Sequence, residues 1–488
     1  MTGRAPAVNL DAGELRRLLE AQRAAFLAEG PPTVQVRRNR IDRLALAVLD
    51  HADALTAALH ADFGSRPELV SLTTDLLGAL PDVHLVRDSL EAWMQDEEVP
   101  AGAAQGMPTQ LQVRPKGVVG VIGPWNFPVS LVFQPAVEAL AAGNRVMIKF
   151  SEVASQTAAV FAEAVARAFD PAEVVVVRGG PATAAAFSSL PLDHLFFTGS
   201  TPVGRKVAAA AGANLVPVTL ELGGKNPVVV GPGADLPVVA ERVAAQRMLN
   251  AGQVCLCPDD VFVPTGLVDG FVAACREQLA RFFPSYADDP GVVSVVDDAN
   301  FARISALVDD ARSKGATVHP VGSALPDAGT RRLPPVVIVG VTADMAVAQE
   351  EVFGPVLVVH AYSSLDEVVD HLNARPAPLA AYWYGDDGTE YRDFLRRTTS
   401  GGVTRNDMAL HHGVPGAPFG GVGASGHGAY HGRVGFETFS HRRTVTVNAL
   451  PFGVAPSMMP PYSDGTLAKA RGRVQSQREL FRMRLSAD

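Results

Sequence analysis

Short, continuously apolar segments separated by helix-length stretches are the feature that most constrains this chain. VVVV at 174–177 and HLFF at 194–197 show no polar/apolar alternation. Strands formed there must be covered on both faces, as in a parallel sheet flanked by helices. Around them the pattern alternates. RVMIKF reads as a strand followed by an Ala-rich helix over 154–169, then come VVVVRGG, a helix over 181–189, HLFFTGS, a helix from about 202 to 211 and the strand VPVTLELGG. A second alternation starts near 227. It runs through NPVVVG, a helix over 235–251, DDVFVP, a helix over 267–281, PPVVIVG, GPVLVVHAY and a helix near 364–374. Strands interleaved with helices predict βαβ units and an α/β fold with two domains of roughly 200 residues each.

The flanks read differently. Residues 10–62 carry apolar positions at helical spacing, broken at Pro31–Pro32, and PAGAAQGMPTQ is a connecting segment. HHGVPGAPFGGVGASGHGAYHGRVG, over 411–435, is rich enough in glycine to read as an irregular loop. TFSHRRTVTVN after it reads as a strand. The tail from 463 is polar and locally basic, with room for a short helix.

Composition narrows the function classes. With 47% hydrophobic and 19% charged residues the chain can bury large cores. A formal charge of −9 (42 Lys and Arg against 51 Asp and Glu) argues against a nucleic-acid partner. No run approaches the roughly 18 apolar residues of a membrane span, and MTGRAPAVNLDAGELRR lacks an apolar signal core. A cytoplasmic protein with no membrane partner is expected. Three cysteines make no disulfide framework, and no Cys or His pair sits near Cys255 and Cys257 at zinc-site spacing, so no metal is expected.

Five segments carry candidate chemistry. In HLFFTGSTPVG a buried strand runs into Gly199, and Gly204 falls in the first turn of the next helix. Glycines there let a pyrophosphate approach a helix N-terminus, although the spacing is not GxGxxG and a plain strand–turn–helix connection fits equally. Lys149 ends a strand with Glu152 three residues on. The pair suits a ribose and disfavours a 2′-phosphate, against the alternative of a solvated strand-end lysine. Asn126, between Pro124 and Pro128, is an oxyanion donor or a turn asparagine bonded to its own backbone. Glu221 emerges from an apolar strand in ELGGK, as a general base or as a salt-bridge partner of Lys225. Cys255, after a flexible Gly-Gln in GQVC, is the candidate nucleophile. Cys257, restricted by Pro258, is its rival, and Cys275 is a core thiol.

In order and combination, RPKGVVGVIGPWNFP, IKFSE, FTGSTPVG, ELGGKNPVVV, NAGQVC, EEVFGP and PFGGVGASG resemble the aldehyde dehydrogenase superfamily from about residue 15 to 448. NAGQVCLCPDD, GAYHGRVGFETFSH and the PPY near the end resemble its class 3 and coniferyl aldehyde dehydrogenase branch. The resemblance implies a Rossmann-like NAD(P)-binding domain (1–100 and 117–221) and a catalytic domain (222–412). It also implies a bridging, oligomerising segment (101–116 and 413–449), a tail (450–488) and a homodimer.

By the same resemblance Cys255 is the nucleophile, forming a thiohemiacetal and then a thioester with an aldehyde. Asn126 and the Cys255 N–H hold the oxyanion, and Glu221 activates the hydrolytic water. Trp125, Lys149, Glu152, Gly199, Ser200, Gly204, Glu351 and Phe353 serve the cofactor, NAD or alternatively NADP, and Phe419 lines the substrate tunnel. Coniferyl-type aromatic or medium- to long-chain aldehydes are the implied substrates. The chain departs from the pattern at Phe150, Cys257, Asp260, Met408 and HHGVPGAP. Two rival activities are a CoA-acylating dehydrogenase or acyl-phosphate reductase, against which Glu221 speaks, and a cysteine hydrolase or acyltransferase. The latter would draw a histidine from 411, 412, 427 or 431.

Overall fold

A computed structural model describes residues 10–486. The first nine residues, on which the reading of the N-terminus partly rests, lie outside the described residues. Two compact units form: the described residues up to Met94 together with Arg114–His441, and a smaller unit of Gln95–Val113 with the chain from Arg442 onward.

The large unit holds two sheets. From edge to edge, the six-stranded sheet runs Gly426–His427, Val218–Glu221, His194–Thr198, Val118–Ile122, Arg145–Lys149 and Val174–Val177. All its pairings are parallel except that of Gly426–His427. Every residue of His194–Thr198 and Arg145–Lys149 is buried, whereas Val174–Val177, expected to be covered on both faces, is the edge strand and leaves Val175 and Val176 only half-buried. One face is covered by the helices Ala12–Glu29, Pro181–Ser188 and Thr201–Gly212, through Leu15, Leu19, Phe187 and Val207. At about 25 cal/mol per Å² of apolar surface removed from water, such a layer supplies much of the folding free energy.

The seven-stranded sheet runs Thr317–Pro320, Val336–Val339, Val356–Tyr362, Pro258–Pro264, Asn226–Val230, Ala380–Tyr384 and Gly402–Arg405. Only its first pairing is antiparallel. The two sheets meet at the short link between Glu221 and Asn226. The first sheet offers the carboxyl ends of its strands there, with Lys149 and Glu221 as last residues. The second offers amino ends, because Cys255 and Glu351–Phe353 precede their strands.

Three readings of the sequence are corrected. The stretch 411–435 is not wholly irregular: it contains the pairing strand Gly426–His427 and the start of a helix, Gly432–Thr438. Glycine is required there by close backbone approach, since a Cβ on Gly426 would lie 2.0 Å from the Leu220 carbonyl oxygen. The tail forms a 22-residue helix, Asp464–Leu485, capped by Ser463 and exposed except at a half-buried Leu480. The expected bridging stretch 413–449 is divided, because residues up to His441 pack with the large unit. In the small unit Glu97–Glu98, Thr109–Pro115 and Ser440–Thr446 form a three-stranded sheet with the last strand at an exposed edge.

One helical stretch, Glu68–Trp93, is long and apolar enough to match a membrane span by length and composition. Its buried Asp75 and Asp82 are bonded to groups of the large unit, which makes it a core element.

Candidate active site

The turn that presents Cys255 is rigid, contrary to the flexibility expected of Gly-Gln. Asn250, Ala251 and Gly252 take φ of 50°, 54° and 76° in succession. Two non-glycine residues in that region store of order 1–3 kcal/mol each. Gly252 is required, since a Cβ would lie 2.2 Å from the Gly354 carbonyl oxygen. Gln253, fully buried, donates to the Asn250 and Ser294 carbonyls at 2.9 and 3.1 Å and accepts the Val296 N–H at 2.9 Å. Asn226 Nδ2 holds the Cys255 and Cys257 carbonyls at 2.7 and 2.9 Å. The thiol that results is pre-placed.

Asn126 is pinned against the same turn. Its Nδ2 donates to the Gln253 carbonyl at 3.1 Å, which leaves one amide hydrogen for another acceptor. Its own carbonyl accepts from Arg66 Nη1 at 2.9 Å and Asn250 Nδ2 at 3.2 Å. Arg66 in turn pairs with Asp75 at 2.5 Å, with both side chains fully buried, and Asp75 accepts the Val129 N–H at 3.0 Å. Neither the turn-asparagine reading nor composition pointed to Arg66 or Asp75.

Glu221 is the exceptional carboxyl group. It is 2% exposed and, among the described residues, neither carboxylate oxygen has a hydrogen-bond partner. Burial pushes its pKa well above the usual carboxylate range. The alternative of a salt bridge to Lys225 does not form, because Lys225 Nζ pairs with Asp259 at 3.2 Å and Asp260 at 3.6 Å.

Burial, reinforced by the nearby Glu351 and Glu221 carboxyls, pushes the Cys255 thiol up, so at rest it is a thiol. Cys257 is pushed up to about 12 by burial, and its sulfur donates to the Gln246 carbonyl. Cys275 is buried in the helix Val268–Phe282.

Glu351 lies over the Gly223–Gly224 turn, where a Cβ on Gly223 would be 2.2 Å from its Oε2. Its pKa is raised to about 8 by burial and by Asp259. Phe353, at φ 49°, meets Trp125 edge-on at 5.3 Å. Asp259 secures this loop by accepting the Val352 N–H at 3.0 Å and pairing with Arg247 at 2.9 Å.

The nucleotide side fits a dinucleotide. A Cβ on Gly204 would lie 2.7 Å from Leu222 Cδ2, so glycine brings the helix Thr201–Gly212 close to the strand end. Gly199 leads into Ser200, which caps that helix with extended backbone and no side-chain cap bond, leaving its hydroxyl available beside the positive dipole end. Lys149 is 1% exposed rather than solvated, its Nζ donates to the Phe150 carbonyl, and burial lowers its pKa. Phe150, where proline was expected, packs on Phe161 at 5.0 Å. Glu152 is exposed on the turn beyond. A buried cation and a glycine-lined helix start supply donors suited to a pyrophosphate, and an exposed carboxylate supplies an acceptor suited to ribose hydroxyls.

The surroundings of Phe419 are aromatic. Phe419 is buried and packs on His412 at 4.7 Å, His431 at 5.5 Å and Tyr430 at 5.9 Å. His411 is held by Thr404 at 2.8 Å, and Met408 is buried beside this region of sequence. Among the described residues one group could offer three metal-ligand atoms, Asp260, His360 and His371. Asp260 is already paired with Lys225, His360 and Arg375, so the group is an ionic cluster that accounts for the unusual Asp260.

A rigid cysteine turn set between two α/β sheets, one of them ending in a glycine-lined helix start, is the arrangement of an oxidoreductase fold. The Aldehyde dehydrogenase family model matches residues 5–445, and the chain belongs to that family. It is 44% identical to a probable coniferyl aldehyde dehydrogenase of Caulobacter vibrioides over 94% of this chain and 96% of that one. It is 41% identical to a coniferyl aldehyde dehydrogenase of Pseudomonas sp. (strain HR199), over 93% and 95%. A solved structure described as the substrate-bound state of Staphylococcus aureus AldH superposes with a TM-score of 0.86 at 31% identity, covering 94% of this chain and 99% of that one. The protein is therefore an enzyme that oxidises aldehydes to carboxylic acids with NAD(P).

Proposed function

We propose that Cys255 attacks the aldehyde, that Asn126 Nδ2 and the Cys255 N–H hold the oxyanion, and that Glu221 activates the water that releases the acid. The observation that carries this reading is the buried, unpartnered Glu221 beside a rigid cysteine turn. The Cys255 S–H bond breaks, its proton passing by way of Glu221 to solvent, as the sulfur adds to the carbonyl carbon and the carbonyl oxygen becomes the oxyanion. Bound NAD(P)+ supplies the hydride acceptor and a positive ring that favours the thiolate. The acyl group then sits on Cys255 as a thioester. Glu221 takes a proton from water as the water adds to the thioester carbon, and the Cys255 thiolate leaves.

Coniferyl-type aromatic aldehydes are the proposed substrates, supported by the names of the similar proteins and by the aromatic wall around Phe419. NAD is the proposed cofactor, because an exposed Glu152 accepts ribose hydroxyls and repels a 2′-phosphate. A homodimer is proposed through the exposed edge strand Ser440–Thr446 of the small unit.

The test is NADH formation with coniferyl aldehyde against an aldehyde panel, in the wild type and in Cys255→Ala, Cys257→Ala and Glu152→Gln variants. Loss in Cys255→Ala alone is expected, with Glu152→Gln raising use of NADP. Retained activity in Cys255→Ala overturns the nucleophile, a requirement for CoA or phosphate overturns hydrolysis, and a wild-type preference for NADP overturns the role of Glu152.

A further inference from the structure

Asn126 and the cysteine turn lie far apart in sequence, and the chain closes a ring of hydrogen bonds around them. Asn126 Nδ2 donates to the Gln253 carbonyl at 3.1 Å, and Gln253 Nε2 donates to the Ser294 carbonyl at 3.1 Å. The Ser294 N–H donates to the Ser65 carbonyl at 2.9 Å, and the next residue, Arg66, returns to the start through Nη1 on the Asn126 carbonyl at 2.9 Å. Apart from the half-buried Ser65, every member is at most 3% exposed. The ring holds the Asn126 amide against Gln253, two residues before Cys255, and Arg66 is the charged member that closes it.

Arg66 is itself fixed in direction. Its Nη2 meets Asp75 Oδ2 at 2.5 Å and Thr74 Oγ1 at 3.2 Å, with the Arg66 and Asp75 side chains fully buried. Its guanidinium carbon lies 4.8 Å from the centre of the Phe63 ring and 5.3 Å from that of Phe127. Asp75 belongs to a π-helical turn, Leu72–Leu76. Its other oxygen accepts the N–H groups of Val129 at 3.0 Å and Ser130 at 3.4 Å, where the helix Ser130–Ala141 begins and a carboxylate is favoured by the helix dipole. The ion pair therefore grips the loop on both sides of Phe127–Pro128, by the carbonyl of Asn126 and the N–H groups of Val129 and Ser130. A guanidinium suits that task, because its planar fork reaches two acceptors in fixed directions whereas an ammonium is a point charge.

We propose that Arg66, with Asp75 as its counter-charge, is a positioning residue that fixes the Asn126 amide at the distance from Cys255 that the oxyanion requires. A buried ion pair adds little stability over apolar residues of the same volume, so stability alone gives no reason for a charged pair at this loop. Arg66 acts through Asn126, and loss of the pair lowers the rate as misplacement of one oxyanion donor does. The inference rests on Asn126 as that donor, and an Asn126→Ala variant tests that assignment separately.

The experiment measures kcat and KM for NAD and for one aldehyde in the full-length enzyme. Arg66→Met/Asp75→Leu removes the pair without stranding a buried charge, and Arg66→Lys leaves Asp75 its counter-charge while giving up the fork. In both, kcat falls about 10–10²-fold at unchanged KM, the mark of an interaction made in the transition state. In an Asn126→Ala background the same changes lower kcat by less than about twofold further, because the donor they place is already gone. Denaturant midpoints show that the variants are folded, and if the double variant is not, Arg66→Lys decides. A folded variant with kcat within about twofold of the wild type, a change in KM alone, or the full fall repeated in the Asn126→Ala background overturns the proposal. If Asn126→Ala itself keeps the wild-type kcat, the oxyanion assignment fails instead.

Discussion

Glu221 and Asp259 are both buried carboxyl groups at strand ends, 2% and 1% exposed, yet their surroundings are opposite. Asp259 is met by Lys225 at 3.2 Å, Arg247 at 2.9 Å and the Val352 N–H at 3.0 Å, while neither oxygen of Glu221 has a partner. A buried carboxyl costs several kcal/mol unless it is paired or protonated. Asp259 is paired and so becomes a fixed strut beneath the Glu351–Gly354 loop, which Arg247 also holds through the Gly354 carbonyl. Glu221 is unpaired and titrates. The fold tolerates that cost at the residue proposed as the base.

The comparison can be broken or sharpened by mutation. The largest effect is expected from Cys255→Ala, which takes aldehyde oxidation to background while Cys257→Ala retains it, measured by NADH formation. Next, Asp259→Asn leaves Arg247 buried without a counter-charge and destabilises the fold by about 3–5 kcal/mol, read from denaturant midpoints. A paired strut makes that prediction; a second titrating group would not. Asn126→Ala removes one oxyanion donor and lowers kcat about 10²–10³-fold with the fold intact.

The smallest effect is a pH slope. Glu351 rises from 4.5 in its ordinary state to about 8 when folded, so the native state binds more protons between those values. Stability falls as pH rises through that window. Glu351→Gln flattens the fall in thermal midpoint of the cofactor-free enzyme from pH 5 to 8.

Much of this was legible because local pattern and local chemistry coincide. Continuously apolar VVVV and HLFF read as strands of one sheet, HLFF fully buried and VVVV at its edge, and ELGGK and GQVC announce their residues within a few positions. The supporting residues were not legible. Arg66 reaches Asn126 across 60 residues and Asn250 does so across 124, so nothing near either in sequence signals the contact. Gly-Gln read as flexible because its restraint comes from Ser294, 41 residues away. Asp82 and Glu138 sit on different helices and accept from Gly416 and His431, 334 and 293 residues further along the chain. The tail helix was underestimated because it is polar and exposed, with no apolar stripe to declare its length.

The most direct measurement is a single-turnover experiment on Glu221→Gln with NAD and aldehyde, followed by mass spectrometry of the cysteine peptide. The account predicts a burst of one equivalent of NADH, then arrest, with the acyl group on Cys255. Continued turnover at the wild-type rate, or a burst with the acyl group on Cys257, would contradict it.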